Sequence, residues 1–191
     1  MQYVDWTPQL TVDPPVYLDA NILVGTIVRT HHLYPTCVKL IATLLTGKSS
    51  VLISPVSLDE CLWATAKLAY CRLFKHPHPS TVRWSKDIYL KWCEKIFESY
   101  EGWITAVGSM MKDWSNAGVP IEVIPKTDAL WEHVVDLTPH YMRQFKLSSA
   151  DAMHLALAET HARTFVTADS DFAEIQKNPP AGELVILHLA A

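Results

Sequence analysis

Five carboxylates, Asp19, Glu60, Asp151, Asp169 and Asp171, stand where short apolar or small-residue runs give way to helical patterns. Asp19 ends Val16-Tyr17-Leu18, and Glu60 comes shortly after Val51-Leu52-Ile53. Asp151 opens the helical pattern Ala152 to Leu157, while Asp169 and Asp171 follow Thr164-Phe165-Val166-Thr167. If those runs are neighbouring parallel strands, the acids meet at one edge of a sheet, where open α/β folds place their sites. Such a cluster of carboxylate oxygens, with waters completing the shell, is what a hard divalent cation requires.

Each acid, taken singly, also has a structural role open to it. Ser57-x-x-Glu60 and Ser148-x-x-Asp151 match the capping box, and Asp19 and Asp169 can act as simple N-caps. Asp59 sits at the edge of an apolar face and is a poorer candidate than Glu60. Ser, Thr, Asn and Asp cap about equally well, so capping does not call for acids after successive strands. Gathered carboxylates raise one another's pKa and cost stability unless a cation neutralises them. The joint pattern favours a metal site.

The elements that must position these acids alternate. Residues 1–15, with Pro8, Pro14 and Pro15, read as an irregular lead-in. Strands are expected at Val16–Leu18, Val51–Ile53, Ile121–Ile124, Thr164–Thr167 and Leu184–Leu187. Helices are expected at Ala20–Arg29, at Tyr34–Leu45 closed by Gly47, and at Val56–Leu73. After the stiff His76-Pro77-His78-Pro79 break, Val82–Trp114 reads as one long helix, or two joined near Gly102. Trp84, Ile88, Trp92, Ile96 and Trp103 recur there at helical spacing, a pattern of packing rather than of base stacking. Ala129–Leu137, a short Pro139–Phe145 segment and Ser148–His161 complete the helices. Strands alternating with helices imply a mostly parallel sheet covered on both faces.

Composition narrows the class. The chain has 191 residues, 49% of them hydrophobic and 19% charged, enough for one well-cored domain. No apolar run approaches the ~20 residues that span a bilayer, and Met1–Trp6 lacks a signal-peptide pattern, so a cytoplasmic protein off the membrane is expected. Cys37, Cys61, Cys71 and Cys93 form no CxxC pair and read as reduced thiols. The net charge of −4 exerts no global pull on nucleic acid, yet residues 67–95 hold seven Lys and Arg against Asp87 and Glu94. That basic stretch suits either a nucleic-acid face or a solvated helix pair.

The motifs resemble those of PIN-domain nucleases. Leu18-Asp19-Ala20-Asn21-Ile22-Leu23 is similar to the strand, Asp and Asn that open such domains, and Ser57-Leu58-Asp59-Glu60 to their second acid. Leu147-Ser148-Ser149-Ala150-Asp151-Ala152-Met153-His154 resembles their third motif, and Thr167-Ala168-Asp169-Ser170-Asp171-Phe172 their closing one. The last two motifs, 18 residues apart from Asp151 to Asp169, are the specific part of the resemblance.

The resemblance implies a single domain over 1–191, a three-layer α/β/α sandwich around a mostly parallel sheet, with a helical insertion at about 74–118. It implies a Mg²⁺- or Mn²⁺-dependent endoribonuclease that hydrolyses RNA phosphodiester bonds, of the VapC-like toxin type. Asp19, Glu60, Asp151 and Asp169 would be catalytic and hold the metal with Asp171, while Asn21 and Thr167 would support the acids by hydrogen bonds. Lys86, Lys91 and Lys95 would contact RNA. A small antitoxin protein and a homodimer are the further partners it suggests.

Two departures qualify the match: Glu60 and Asp151 lie 91 residues apart, and the surplus is basic and Trp-rich. A PIN-like module that keeps its acids but serves binding or regulation is therefore the main alternative. A phosphotransfer fold with a nucleophilic aspartate fits less well, because Asp19 is followed by Ala20-Asn21 and Lys146 precedes rather than follows a strand. His154, three residues beyond Asp151, reads as a packed core histidine.

Overall fold

Strand β2 (Val16–Leu18) is apolar and wholly buried, as a central strand covered on both faces must be. It anchors an all-parallel six-stranded sheet in the computed structural model, which describes residues 1–125 and 130–190. The other strands are β1 (Gln2–Asp5), β3 (Val51–Ile53), β4 (Ile121–Val123), β5 (Thr164–Thr167) and β6 (Val185–His188). Their order across the sheet is β1-β6-β5-β2-β3-β4. Tyr17 pairs with Leu52 of β3 on one side and Phe165 of β5 on the other, so the C-terminal ends of these three strands lie together.

Seven α-helices are present among the described residues. They are α1 (Ala20–Ile27), α2 (Tyr34–Gly47), α3 (Pro55–Leu73), α4 (Lys86–Ile104), α5 (Ala106–Asn116), α6 (Trp131–Phe145) and α7 (Ser149–His161). Strand side chains alternate between faces. Val16 and Leu18 meet Leu40, Leu44 and Trp114 in one core, while Tyr17 and Phe165 meet Tyr141, Phe145 and Leu155 in the other. The result is an α/β sandwich with helices on both sides of the sheet. Tyr70, Ile96, Trp84 and Trp92 form a third apolar cluster between α3 and α4, the packing role expected of those tryptophans.

The structure corrects several expected elements. Residues 2–5 form a strand because β1 pairs in register with β6, a tertiary contact that the proline-rich lead-in conceals. Lys48, not Gly47, takes the left-handed conformation that ends α2 (φ 48°). The long helical stretch is kinked at Tyr100 (φ −138°, ψ 25°), close to the joint expected near Gly102, and α5 starts after Thr105, which keeps helical angles. Trp131–Phe145 is one helix that carries Pro139 inside it, because buried Val134, Tyr141 and Phe145 hold both halves on the sheet. Ala129, the expected first residue of that helix, lies outside the described residues.

Candidate metal centre

Asp19 is buried at the end of β2, where it also caps α1. One carboxylate oxygen accepts from the Ala20 amide at 2.6 Å. The other accepts from the Thr167 hydroxyl at 2.6 Å and from Asn21 Nδ2 at 2.8 Å. Thr167 Oγ1 in turn accepts from the Asp169 amide, and Asn21 Oδ1 from the Ala168 amide, both at 3.0 Å. Asn21 and Thr167 thus lock the ends of β2 and β5 together and fix the Asp19 rotamer. Burial pushes the Asp19 carboxyl up, against the pull of His154 and these hydrogen bonds, and nearby Glu60 adds to the rise.

Glu60 does not belong to a capping box. Ser54 caps α3 by accepting from the Ser57 amide at 3.0 Å, and Ser57 Oγ donates to the Leu18 carbonyl at 3.1 Å. Glu60 therefore lies beyond the first turn of α3, with no capping duty. Its Oε2 sits 2.7 Å from His154 Nε2, and Asp19 Oδ1 is 3.6 Å from the same nitrogen. His154 Nδ1 faces the Tyr17 hydroxyl at 2.7 Å, and that hydroxyl also meets Ser54 Oγ at 2.7 Å and Ser57 Oγ at 3.1 Å. His154 is buried, as expected, but this chain makes it the anchor of Glu60. Burial pushes its pKa down, yet the Glu60 hydrogen bond and the charges of Asp19, Glu60 and Asp151 carry it above the ordinary value. Its position on the same face as Asp151, one turn later, was the available signal; Tyr17 gave none beyond an apolar strand.

Asp151 and Asp169 form the facing group with Asp171, and oxygens of all three lie within 4.8 Å of one another. Ser148 caps α7 and donates to Asp151 Oδ2 at 2.6 Å, so a capping serine also orients this acid. Asp169 Oδ1 accepts from the Asp171 amide at 2.8 Å. Burial raises the Asp169 pKa, and the charges of Asp171, Asp151 and Asp19 raise it further. Asp19, Glu60 and His154 form the other compact group. Asp19, Glu60, Asp151 and Asp169 line one open cleft of about 450 Å³, whereas Asp171 is exposed beside it.

The donor set suits a hard divalent cation: carboxylate oxygens dominate, and those of Asp151, Asp169 and Asp171 lie within 4.8 Å of one another. Lys86, Lys91 and Lys95 are exposed on α4 and do not line this cleft. Lys91 lies over the Trp92 ring and Lys95 over Phe74, at 5.2 and 5.7 Å from the ring centres. Lys67, His31 and His78 line the cleft instead, positions that only the folded chain brings to the acids.

A family model described as PIN domain matches residues 113–178. The matched segment contains Asp151, Asp169 and Asp171; Asp19 and Glu60 lie outside it and share one cleft with Asp151 and Asp169. The match supports assignment to the PIN-domain family and so to a nuclease fold, in agreement with the all-parallel sandwich. No curated protein sequence matches the chain. Among the described residues, no helix is long and apolar enough to cross a membrane.

Proposed function

We propose that this protein is a metal-dependent endoribonuclease. The observation that carries the reading is the convergence of Asp19, Glu60, Asp151 and Asp169 on one cleft at the C-terminal ends of β2, β3 and β5. These four acids, with Asp171 beside them, would hold Mg²⁺ or Mn²⁺. A bound ion of this kind activates water and offsets charge on a phosphodiester under attack. The protein's own part is positional. Thr167 and Asn21 fix Asp19, Ser148 fixes Asp151, and the Tyr17–His154 pair fixes Glu60.

RNA is the proposed substrate, with Lys86, Lys91 and Lys95 on α4 as outer electrostatic contacts. We read residues 1–191 as one domain and the segment from about 74 to 118 as its helical insertion. The biological role we propose is that of a cytoplasmic toxin restrained by a small antitoxin, with a homodimer as a further assembly. Exposed Leu62, Trp63, Leu90 and Phe97 on α3 and α4 supply apolar surface of the kind that protein partners cover.

The test is cleavage of labelled single-stranded RNA by the purified chain with Mg²⁺ or Mn²⁺. Cleavage is expected to stop in EDTA and in folded Asp19→Asn and Asp151→Asn. Wild-type rates in both variants would refute the reading.

A further inference from the structure

Helix α3 carries Glu60 at the acid cluster and then, on the same face, Ala64, Lys67, Leu68 and Cys71, with Arg72 beside them. At 1.5 Å per residue, Lys67 lies ~10 Å and Arg72 ~18 Å along the helix from Glu60. The cleft that holds the acids continues into a second one of about 280 Å³, and His31, Leu68, His78 and Pro79 line both. The His76-Pro77-His78-Pro79 strap and the turn after α1 thus wall a groove that leads away from the acids along α3.

Among the described residues, Lys67, Arg72 and the Nε2 atoms of His31 and His78 are donors without protein acceptors. His78 Nδ1 accepts from the Ser80 amide at 3.2 Å, and His31 Nδ1 from the Leu33 amide at 3.3 Å. Each neutral imidazole is therefore held in the tautomer with its proton on Nε2. Among the described residues, neither Nε2 has a hydrogen-bond partner, and neither Lys67 nor Arg72 has an ion pair. Lys67 rests over Trp63 and Arg72 over Trp103, each 5.4 Å from the ring centre, so their stems are positioned while their charges stay unneutralised. A row of cations and N–H donors that starts beside carboxylates matches a ligand with one phosphate at the acids and others further along.

Resting on the nuclease reading, we propose that Lys67, His31, His78 and Arg72 form a track for the phosphates that flank the cleavage point of a single-stranded RNA. The two connected clefts have volumes of about 450 and 280 Å³, the scale of sites that take a few ligand groups. The track lies closer to the acids than Lys86, Lys91 and Lys95, which would act as the outer attraction.

The experiment is fluorescence anisotropy with a labelled ten-nucleotide single-stranded RNA, using the full chain carrying Asp151→Asn so that cleavage does not intrude. Adding Lys67→Met, His31→Gln and His78→Gln together should weaken binding at least tenfold. Lys67→Met alone should flatten the log–log salt dependence by about 0.7. Circular dichroism and melting should match the parent, since Lys67 and His31 are only half-buried and His78 is exposed. Unchanged affinity and salt slope, or equal affinity for duplex RNA, would overturn the track. If the wild type cleaves RNA while Asp151→Asn carrying the track substitutions binds RNA as Asp151→Asn alone does, the track fails and the nuclease reading stands. If binding is lost as expected but the wild type cleaves nothing, the track stands and the nuclease reading fails.

Discussion

Asp151→Asn should make the metal-free protein more stable and the metal-loaded protein less stable than the wild type. Oxygens of Asp151, Asp169 and Asp171 lie within 4.8 Å of one another. Two unit charges at that distance repel by roughly 0.9 kcal/mol in water and roughly 3.5 kcal/mol at an effective dielectric of 20. Asp171 is exposed and Asp151 half-buried, so the water end of that range governs, and two relieved pairs are worth about 2 kcal/mol. The asparagine oxygen can still accept from Ser148, but the first turn of α7 loses a charge worth about 0.3–1 kcal/mol. A net gain of about 1 kcal/mol raises the melting temperature by ~2–4 °C in a chain of this size. For the wild type, metal at a hundred times its dissociation constant adds about 2.7 kcal/mol, a gain the variant should largely lose. The assay is thermal unfolding of both proteins in EDTA and in millimolar Mg²⁺ or Mn²⁺. The expected result is a reversal of order between the two conditions. A variant that melts lower in EDTA and gains as much from metal as the wild type would refute the assignment of Asp151 to a shared site.

His154→Gln should cost about 2–4 kcal/mol at pH 6.5, because it removes the buried partner of Glu60 and Tyr17. The His154 pKa is raised in the fold, so its contribution is complete below the ordinary value near 6.5 and is lost as pH climbs through the folded value. Asp19 and Asp169, also raised, act with the same sign. His31, pushed down to about 4 by burial and by His32 and His78, has the opposite sign but acts below pH 6.5. Denaturant titrations in EDTA between pH 6.5 and 8.5 should show wild-type stability falling with pH and a shallower slope for His154→Gln; parallel slopes would remove His154 from the charged network. At the α1–α2 contact, a Cβ on Gly25 would fall 2.6 Å from Cys37 Sγ and 3.3 Å from Leu33 Cβ. Gly25→Ala should cost about 1–3 kcal/mol in the same assay and be partly restored by Cys37→Ala, while a neutral single variant would contradict the tight packing.

The sandwich and its acids were legible in the sequence because local rules govern them. Val16–Leu18, Val51–Ile53 and Thr164–Thr167 are buried parallel strands, and such strands write themselves as short runs rich in apolar and β-branched residues. An acid directly after a strand must then lie at the sheet's C-terminal edge, which is why Asp19 and Asp169 could be placed without coordinates. Asp151 opens α7 after α6 rather than after a strand, and it reaches that edge through tertiary packing. β1 and the unbroken α6 were not legible. The one depends on pairing with β6, and the other on sheet packing that overrides Pro139.

The roles within the site belong to the tertiary structure. Ser57-x-x-Glu60 has the spacing of a capping box, yet the cap is Ser54, and what holds Glu60 is His154, 94 residues away. Residues 67–95 show their basic excess in the sequence, but not which cations meet the acids. Lys67 lines the acid cleft and Lys86, Lys91 and Lys95 do not, because the direction of α3 and the turn into α4 decide where each charge emerges. Hydrophobic periodicity is a property of neighbours along the chain and survives in the sequence. The meeting of Tyr17, Glu60 and His154 joins three separate elements, and only their packing against one another creates it.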